Sequence, residues 1–479
     1  MQTQEPVTTT ETKPHRALSG LDGTLLVIGS MIGSGIFIVS ADISRQVGSA
    51  GWLIAVWVLT GFLTLAAALS YGELAGMYPK AGGQYVYLRE AWGRMTSFLY
   101  GWSFFAVIQT GTIAAVAVAF GKFLGYLVPA LGEGNVLLQS GDFKIHAAQL
   151  VAIGVIILLT YINTRGVESG KRVGFIFTFS KVAAMAALII AGFLLVKNAA
   201  WDFNFQTAWQ GVKLSFDPEG GIHRELLFGN GLVVALCIAA VGAIFSSDAW
   251  NSVTFIAGEM KQPERNIGRS LFIGTLVVTA LYVTMNLMYL NVLSINEIAQ
   301  APQDRVAIAA ALKLFGPVGT TLIAVLVMIS TFGCDNGLIL SGARVYKTMA
   351  DDGVFIPAAK KLNKRGVPEI ALWMQAAWAI VLCLSGSYGA LLDYIVIVAL
   401  LFYILTIAGI FRLRATVPEA PRPYKAFGYP VIPALYILLA AFICLVLLRF
   451  KTDTTLPGLV IVALGFPIFM WLRRRELRG

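Results

Sequence analysis

The heptapeptide MIGSGIF, residues 31–37, lies inside a hydrophobic segment that is long enough to cross a lipid bilayer. Its two glycines, Gly33 and Gly35, each disfavour a helix interior by roughly 1 kcal/mol relative to alanine. Backbone that leaves helical geometry at membrane depth is tolerated only where it is buried in protein or lines a cavity. The stretch therefore predicts a broken membrane-spanning helix whose amide and carbonyl groups can bind a small charged solute.

The composition is that of a polytopic membrane protein. Of the 479 residues, 57% are hydrophobic and 13% are charged, and the mean hydropathy is +0.75. A helical span needs about 20 apolar residues, and twelve segments approach or meet that length. The predicted spans are residues 21–47, 50–77, 97–128, 147–163, 173–196, 228–257, 270–293, 318–349, 370–386, 391–411, 431–449 and 456–472.

Basic residues are distributed unevenly between the two sides of the predicted membrane. Of the 36 Lys and Arg, 25 fall on the side of the amino terminus, 10 fall on the opposite side, and Lys181 lies within a span. This asymmetry follows the positive-inside rule and predicts an integral plasma-membrane protein with both termini in the cytoplasm. The net charge of +10 is explained by this orientation, so we expect no nucleic-acid partner.

The chain divides at polar and proline-rich segments. Residues 1–18 are polar and rich in threonine, without the basic and then apolar pattern of a signal peptide, so we expect a disordered cytoplasmic tail. Residues 19–413 are predicted to form a ten-span core. The stiff segment at 418–423 indicates that residues 414–479 hold a linker, two accessory spans and a basic cytoplasmic tail.

The cysteines and histidines give no sign of an enzyme or a metal site. The four cysteines lie in predicted spans and the three histidines lie in the tail or in loops, so neither a disulfide framework nor a metal-ligand pattern is expected. The chain lacks the glycine-rich phosphate-binding motif that ends in Lys and Ser or Thr, so ATP does not drive it directly. We expect no cofactor, and a membrane-embedded enzyme is the less favoured alternative because no His or paired carboxylates stand at the membrane face.

A second interruption occurs in the sixth span. Residues 244–251 read Ile-Phe-Ser-Ser-Asp-Ala-Trp-Asn, which places three consecutive polar residues at membrane depth. Spans 1 and 6 are the first members of two five-span sets that run in opposite directions. Paired interruptions at corresponding positions of two halves are the best sequence indication of an inverted-repeat transporter site.

Four motifs make the chain resemble the amino acid–polyamine–organocation superfamily. It is most similar to the L-type amino acid transporter branch and its bacterial relatives, over roughly residues 18–425. The resemblance implies an all-α LeuT-type fold, a 5+5 inverted repeat with twelve transmembrane helices in which helices 1 and 6 are unwound at mid-membrane, and transport by alternating access. The motifs are GSMIGSGIF at 29–37, PKAGGQY at 79–85, GEMKQPERNI at 258–267 and STFGCDNG at 330–337.

The broken helix ends form the predicted substrate site. The half-helix after the first break would offer amide groups to a substrate carboxylate, and the family pattern implies that carbonyls at Met31, Phe245 and Asp248 receive the ammonium group. Phe245 matches the aromatic residue that covers the substrate in this family, and Asn251 matches a polar neighbour. The predicted substrate-binding residues are Met31, Ile32, Gly33, Ser34, Gly35, Ile36, Phe245, Ser246, Asp248 and Asn251.

Asp248 departs from the glycine pair that often precedes this tryptophan in the L-type pattern. An aspartate also stands here in family members that take dibasic amino acids, and in many bacterial relatives. An intramembrane carboxylate is by default a functional group. It could pair with a cationic substrate, cap the unwound segment or hold water, and the sequence leaves these roles open.

Lys181 lies about nine residues into the fifth span, roughly 13 Å from its inner end at 1.5 Å per residue. The family resemblance implies that this lysine reaches between helices 1 and 8 and replaces a sodium ion, with Ser330 and Thr331 in the former ion-site region. A buried lysine can serve as a fixed cation or as a proton carrier. The roles of Asp335 and Glu73 stay open.

These observations favour a sodium-independent transporter, either an exchanger or a proton-coupled permease, that moves neutral α-amino acids across the plasma membrane. The alternative is a transporter of cationic amino acids or polyamines that uses Asp248. The expected partners are the amino acid substrate and the lipid bilayer, and a proton is a candidate coupling ion. The sequence does not identify an accessory subunit.

Overall fold

The computed structural model of the chain describes residues 18–140, 143–196, 200–217, 221–385 and 388–476. The predicted tail, residues 1–18, lies outside these ranges except for Leu18. Among the described residues, ten helices are long and apolar enough to cross a membrane, and two shorter apolar helices, Asn230–Ser246 and Glu369–Leu384, lie at the sixth and ninth predicted spans. The chain is therefore a polytopic, mostly helical integral membrane protein.

The region of the first five predicted spans contains nine α-helices, and the third of these spans is interrupted by one π-helical turn at Phe104–Ile108. Five of the nine helices have 12 residues or fewer, which is too short to cross a membrane alone. The helices are α1 (Gly20–Met31), α2 (Gly35–Ile38), α3 (Ser40–Val47), α4 (Ala50–Met77), α5 (Gln84–Trp92), α6 (Arg94–Ser103), α7 (Gln109–Leu127), α8 (Ala147–Thr164) and α9 (Val167–Leu195).

Ten further helices are described after α9. The segment Val306–Asp351 bends at Gly316, where φ is 67° and ψ is −159°, immediately before Pro317. The helices are α10 (Trp201–Gln206), α11 (Asn230–Ser246), α12 (Ser252–Phe255), α13 (Pro263–Val292), α14 (Ile295–Ala299), α15 (Val306–Asp351), α16 (Glu369–Ser385), α17 (Tyr388–Thr416), α18 (Val431–Phe450) and α19 (Thr452–Glu476).

Two antiparallel β-hairpins occupy segments that the sequence indicated only as loops. Strand β1 (Val136–Ser140) pairs with β2 (Phe143–His146), and β3 (Val212–Phe216) pairs with β4 (Ile222–Leu226). In β3 the side chains of Val212 and Leu214 are buried against Ala299, whereas those of Lys213 and Ser215 are exposed. This alternation is the pattern of a half-buried strand, and it extends over too few residues to stand out among the spans.

The start of α1 is fixed by a capping box. The Ser19 hydroxyl accepts a hydrogen bond from the Asp22 amide at 3.3 Å, and the Asp22 carboxylate accepts one from the Ser19 amide at 2.8 Å. Leu18 pairs with the chain after α12, since its amide donates to the Glu259 carbonyl at 3.0 Å and its carbonyl accepts from the Lys261 amide at 2.8 Å. The entry to the first span is thereby tied to the end of the sixth.

The last two helices are tied to the rest of the molecule through Glu73, whose role the sequence left open. The Glu73 carboxylate is 1% exposed and accepts from Arg414 Nε at 3.0 Å and Nη2 at 2.6 Å. It also accepts from the Ala426 amide at 2.7 Å, and Arg422 Nε lies 3.3 Å away. Glu73 therefore anchors the segment between α17 and α18 against α4.

The helices around the first break pack closely. α1 lies against α9, α13 and α15, while α4 packs along α13 and α7 along α15. The broken segment after α1 is consequently enclosed by protein on several sides, as irregular backbone at membrane depth requires.

Candidate functional site

The first predicted break is present. α1 ends at Met31 and α2 begins at Gly35, with Ile32 outside helical geometry at φ −75° and ψ 87°. All of residues 31–36 are buried. The last carbonyls of a helix have no partner within it, so at this depth they need donors from elsewhere in the protein.

Lys181 of α9 supplies one such donor. Its side chain is 1% exposed, and its ammonium group donates to the carbonyls of Gly29 at 2.7 Å, Ile32 at 2.6 Å and Ser330 at 3.2 Å. A cation at the C-terminal end of a helix is favoured by the helix dipole. Lys181 thus joins the broken end of α1 to α15 and uses three backbone acceptors to compensate for its burial.

Ser330 and Thr331 differ in what their hydroxyls contact. The Ser330 hydroxyl lies 3.2 Å from the Ile32 carbonyl and 3.3 Å from the Gly33 carbonyl, so it joins the first break. The Thr331 hydroxyl instead contacts the carbonyls of Val327 and Met328, both at 3.0 Å, within its own helix. Of the two predicted hydroxyls, the structure brings only that of Ser330 to the break.

Tyr282 of α13 bridges the two broken helices. Its hydroxyl lies 2.9 Å from the Met31 carbonyl and 3.1 Å from the Ser246 carbonyl. These carbonyls belong to the last residues of α1 and α11, so the two helix ends share the single O–H donor of Tyr282. The Met31 carbonyl, which was expected to receive a substrate ammonium group, has a protein partner in this conformation.

The second predicted break separates α11 from α12. α11 ends at Ser246 and α12 begins at Ser252, and between them Ala249 has a left-handed φ of 61°. This conformation is unfavourable for a residue with a Cβ atom. The two breaks touch, because a Cβ atom at Gly35 would lie 2.6 Å from Ser246 Cβ and 3.0 Å from Ser246 Cα.

Asp248 is held by α17. The Tyr403 hydroxyl donates to Asp248 Oδ1 at 2.5 Å, and the Asp248 amide donates to the Phe245 carbonyl at 3.1 Å. The Asp248 side chain is nevertheless only half-buried, whereas those of Phe245 and Asn251 are buried. The Tyr403 hydroxyl therefore holds this carboxylate in a fixed position.

Asp248 lines a narrow cavity at the second break. Its wall combines the second break with residues of α5, α6, the π-helical turn, α7, α15 and α17, and π-helical turns occur frequently at functional sites. None of the residues 31–36 lines it, and of its described lining residues none is Lys, Arg or His. The lining residues are Gln84, Tyr100, Phe104, Ile108, Gln109, Thr112, Asp248, Ala249, Asn251, Ser252, Leu338, Ala399 and Tyr403.

Comparison with known proteins identifies the family. The family model described as amino acid permease matches residues 18–469, nearly the whole chain. The chain belongs to the amino acid permease family. It is a transporter and not an enzyme.

Similar proteins of known function cover almost all of this permease. The serine/threonine exchanger SteT of Bacillus subtilis (strain 168) is 30% identical over 94% of this chain and 95% of its own length. The human b(0,+)-type amino acid transporter 1 is 29% identical over 93% of this chain and 84% of its own. The human large neutral amino acids transporter small subunit 2 is 28% identical, over 93% and 78% respectively. Amino acid transport is common to these relatives.

Tyr282, Tyr403 and Cys334 are among the side chains at this candidate site for which the sequence predicted no role. Tyr282 and Tyr403 are two of 16 tyrosines in the chain, and neither stands in a motif. Cys334 donates to the Ser30 carbonyl at 3.0 Å, and it stands in the motif at 330–337, one turn after Ser330. Within the described ranges, no three His, Cys, Asp or Glu side chains group closely enough to hold a metal ion.

Proposed function

We propose that this permease is a sodium-independent transporter of neutral α-amino acids that works by exchange or by proton coupling. The observation that carries the proposal is the position of Lys181, whose ammonium group lies 2.6–3.2 Å from three carbonyls at the first break. In broken-helix transporters, freed carbonyls of this kind coordinate the coupling sodium ion. A protein cation already in place makes a metal ion unnecessary.

The proposed architecture is the LeuT-type 5+5 inverted repeat with twelve transmembrane helices. It is supported by the close packing of α4 on α13 and of α7 on α15, which would be the second and third members of the two sets. Residues 19–413 would form the transport core and residues 414–479 the linker, accessory helices and tail. The bias of basic residues supports a plasma-membrane location with cytoplasmic termini.

The proposed substrate site lies at the two breaks, with Ser34, Gly35 and Ile36 facing the carboxylate and the carbonyls of Met31, Phe245 and Asp248 facing the ammonium group. Ile32, Gly33 and Ser246 would shape the breaks themselves. The Met31 carbonyl oxygen has two lone pairs, so it can accept from the substrate ammonium group beside the Tyr282 hydroxyl. The breaks would open and close around the amino acid as the carrier alternates its access.

Uptake into proteoliposomes tests this function. With a panel of labelled amino acids, we expect neutral substrates to be taken up, and replacement of sodium by choline to leave the rate unchanged. Esterified or decarboxylated analogues should compete at least tenfold less well, because loss of one substrate charge leaves buried polar groups unpaired. Counterflow with internal amino acid, compared with an imposed pH gradient, separates exchange from proton coupling. Sodium-dependent uptake, or equal competition by the ester, would contradict the proposal.

A second candidate is transport of cationic amino acids or polyamines. The observation that favours it is that Asp248 lines a cavity whose described lining residues include no Lys, Arg or His. A substrate ammonium or guanidinium group would pair with that carboxylate and reduce the cost of a charge at membrane depth.

If Asp248 faces the substrate, Asp248→Asn should lower lysine or arginine uptake about tenfold relative to leucine uptake. The measurement is the ratio of the two initial rates in one vesicle preparation. Asp335→Asn is the matched control, since Asp335 is a 1% exposed carboxylate of α15 that does not line the cavity. A wild-type protein without cationic uptake would leave Asp248 as a structural or water-holding group.

A further inference from the structure

The short helix α5 lies directly beneath the second break. The Gly82 amide donates to the Phe255 carbonyl at 3.1 Å, which ties the segment before α5 to the end of α12. Gly83 has φ 42° and ψ −113°, and a Cβ atom there would lie 2.8 Å from Thr254 Cβ. Only glycine allows this approach. α5 therefore contacts α12 on the side of the membrane where α1 begins and α4 ends, here called the α5 side.

Gln84, the first residue of α5, uses both ends of its amide. Its side chain is 1% exposed, its Oε1 accepts from Asn251 Nδ2 at 3.0 Å, and its Nε2 donates to Thr406 Oγ1 at 3.1 Å. The Thr406 hydroxyl donates to the Phe402 carbonyl at 2.7 Å, so it must accept from Gln84. The network therefore assigns the orientation of the amide.

These hydrogen bonds fix the second break from the α5 side. Asn251 is the last residue before α12, and Thr406 lies one turn beyond Tyr403, which holds Asp248. The two ends of the segment 248–251 are thus tied to one face of α17, directly at one end and through Gln84 at the other. Gln84 also lines the cavity, so its two hydrogen bonds lie at the cavity wall.

We propose that Gln84 is a positioning residue for transport, whose amide holds the second break against α17 and keeps the cavity closed on the α5 side. This inference rests on the proposed alternating-access function. Opening toward the α5 side separates α5 from both α12 and α17, and so breaks both hydrogen bonds of Gln84. A neutral hydrogen bond contributes about a fivefold factor to an equilibrium of this kind. Loss of both bonds should shift the equilibrium at least tenfold toward the state that is open on the α5 side.

Thiol labelling measures this shift without any substrate. Ser252 lines the cavity, is 1% exposed, and its hydroxyl has no hydrogen-bond partner among the described residues, so Ser252→Cys is a mild reporter. A membrane-impermeant thiol reagent is added to sealed vesicles of either orientation, with the chain lacking the reporter as background. Gln84→Leu should raise the labelling rate from the α5 side at least tenfold and lower it from the opposite side.

Two further variants separate positioning from folding. Thr406→Val removes one of the two hydrogen bonds and should raise the labelling rate about fivefold, even if Gln84→Leu does not fold. Gln375→Leu is the matched control, because Gln375 is a fully buried amide of α16 that donates to the Ile339 carbonyl at 2.9 Å and does not line the cavity. It should lower thermal stability without changing the labelling rate on either side.

The proposal is overturned if Gln84→Leu and Thr406→Val label at the rate of the parent, or if Gln375→Leu accelerates labelling equally. Because the assay contains no amino acid, its outcome does not depend on which substrate is carried. Failure of amino acid uptake by the wild-type protein would instead count against the proposed function alone.

Discussion

Gly35→Leu should abolish amino acid uptake while the protein still inserts into the membrane. Gly35 is the first residue of α2 and stands where the two breaks meet, with Ser246 Cα 3.0 Å from the position of an added Cβ atom. A leucine there must push α2 away from the end of α11, so the amide groups that follow the first break lose their position relative to the second. The measurement is uptake in proteoliposomes beside membrane yield and gel-filtration behaviour.

A smaller substitution at Gly35 tests whether the contact with Ser246 is the cause of the lost uptake. Gly35→Ala should also lower uptake at least tenfold, because its Cβ atom would lie 2.6 Å from Ser246 Cβ. Combining it with Ser246→Gly removes the conflicting side chain and should restore part of the activity. Gly33→Ala should be milder, since its nearest neighbour is the Cys334 sulfur at 3.1 Å. Full uptake by Gly35→Leu would show that the substrate does not bind at the breaks.

Both breaks could be predicted because each has a local cause. A glycine pair weakens the first span, and Ser246, Ser247 and Asp248 interrupt the apolar run of the sixth. Lys181 stood out for a similar reason, since a charged residue in the middle of a span contradicts the surrounding pattern. Each of these signals lies within a few consecutive residues, so it can be recognised from the sequence alone.

The partners of these residues could not be predicted in the same way. Tyr282 contacts the Met31 carbonyl across 251 positions, and Tyr403 contacts Asp248 across 155. Every residue has a backbone carbonyl, so the sequence does not show which carbonyls bind a side chain. A tyrosine in an apolar span is equally suited to packing without a hydrogen bond. The partner of the Thr331 hydroxyl could not be predicted either, because a rotation of the side chain decides whether this hydroxyl faces α1 or its own helix.

The sequence also did not predict most of the residues that line the cavity. Asp248 and Asn251 were predicted from the motif, and PKAGGQY was recognised as a motif without a role for Gln84. The structure brings Gln84 to Asn251 through a loop whose glycines permit close approach to α12. A glycine pair in a sequence signals permissive backbone, and only the fold reveals which surface the backbone approaches.

Lys181→Met should lower uptake at least a hundredfold. The replacement is an unbranched apolar side chain one atom shorter than lysine, and it removes the ammonium group that donates to the carbonyls of Gly29, Ile32 and Ser330. A hydrogen bond to a charged group contributes roughly 1.5–3 kcal/mol, and each 1.4 kcal/mol is a factor of ten. Loss of three such bonds leaves the broken end of α1 unanchored to α9 and α15. Initial rates of uptake, corrected for the amount of inserted protein, measure the effect.

Lys122→Met provides the matched control for removing a buried lysine. Lys122 of α7 is 7% exposed and does not contact the residues of either break, so its replacement should change uptake less than threefold. An imposed pH gradient adds a second readout in the wild-type protein. If Lys181 carries a proton, the gradient drives net uptake, and if the lysine stays charged, exchange dominates and the gradient has little effect. A fully active Lys181→Met would mean that the lysine only fills space, and the sodium-independent mechanism built on its charge would be wrong.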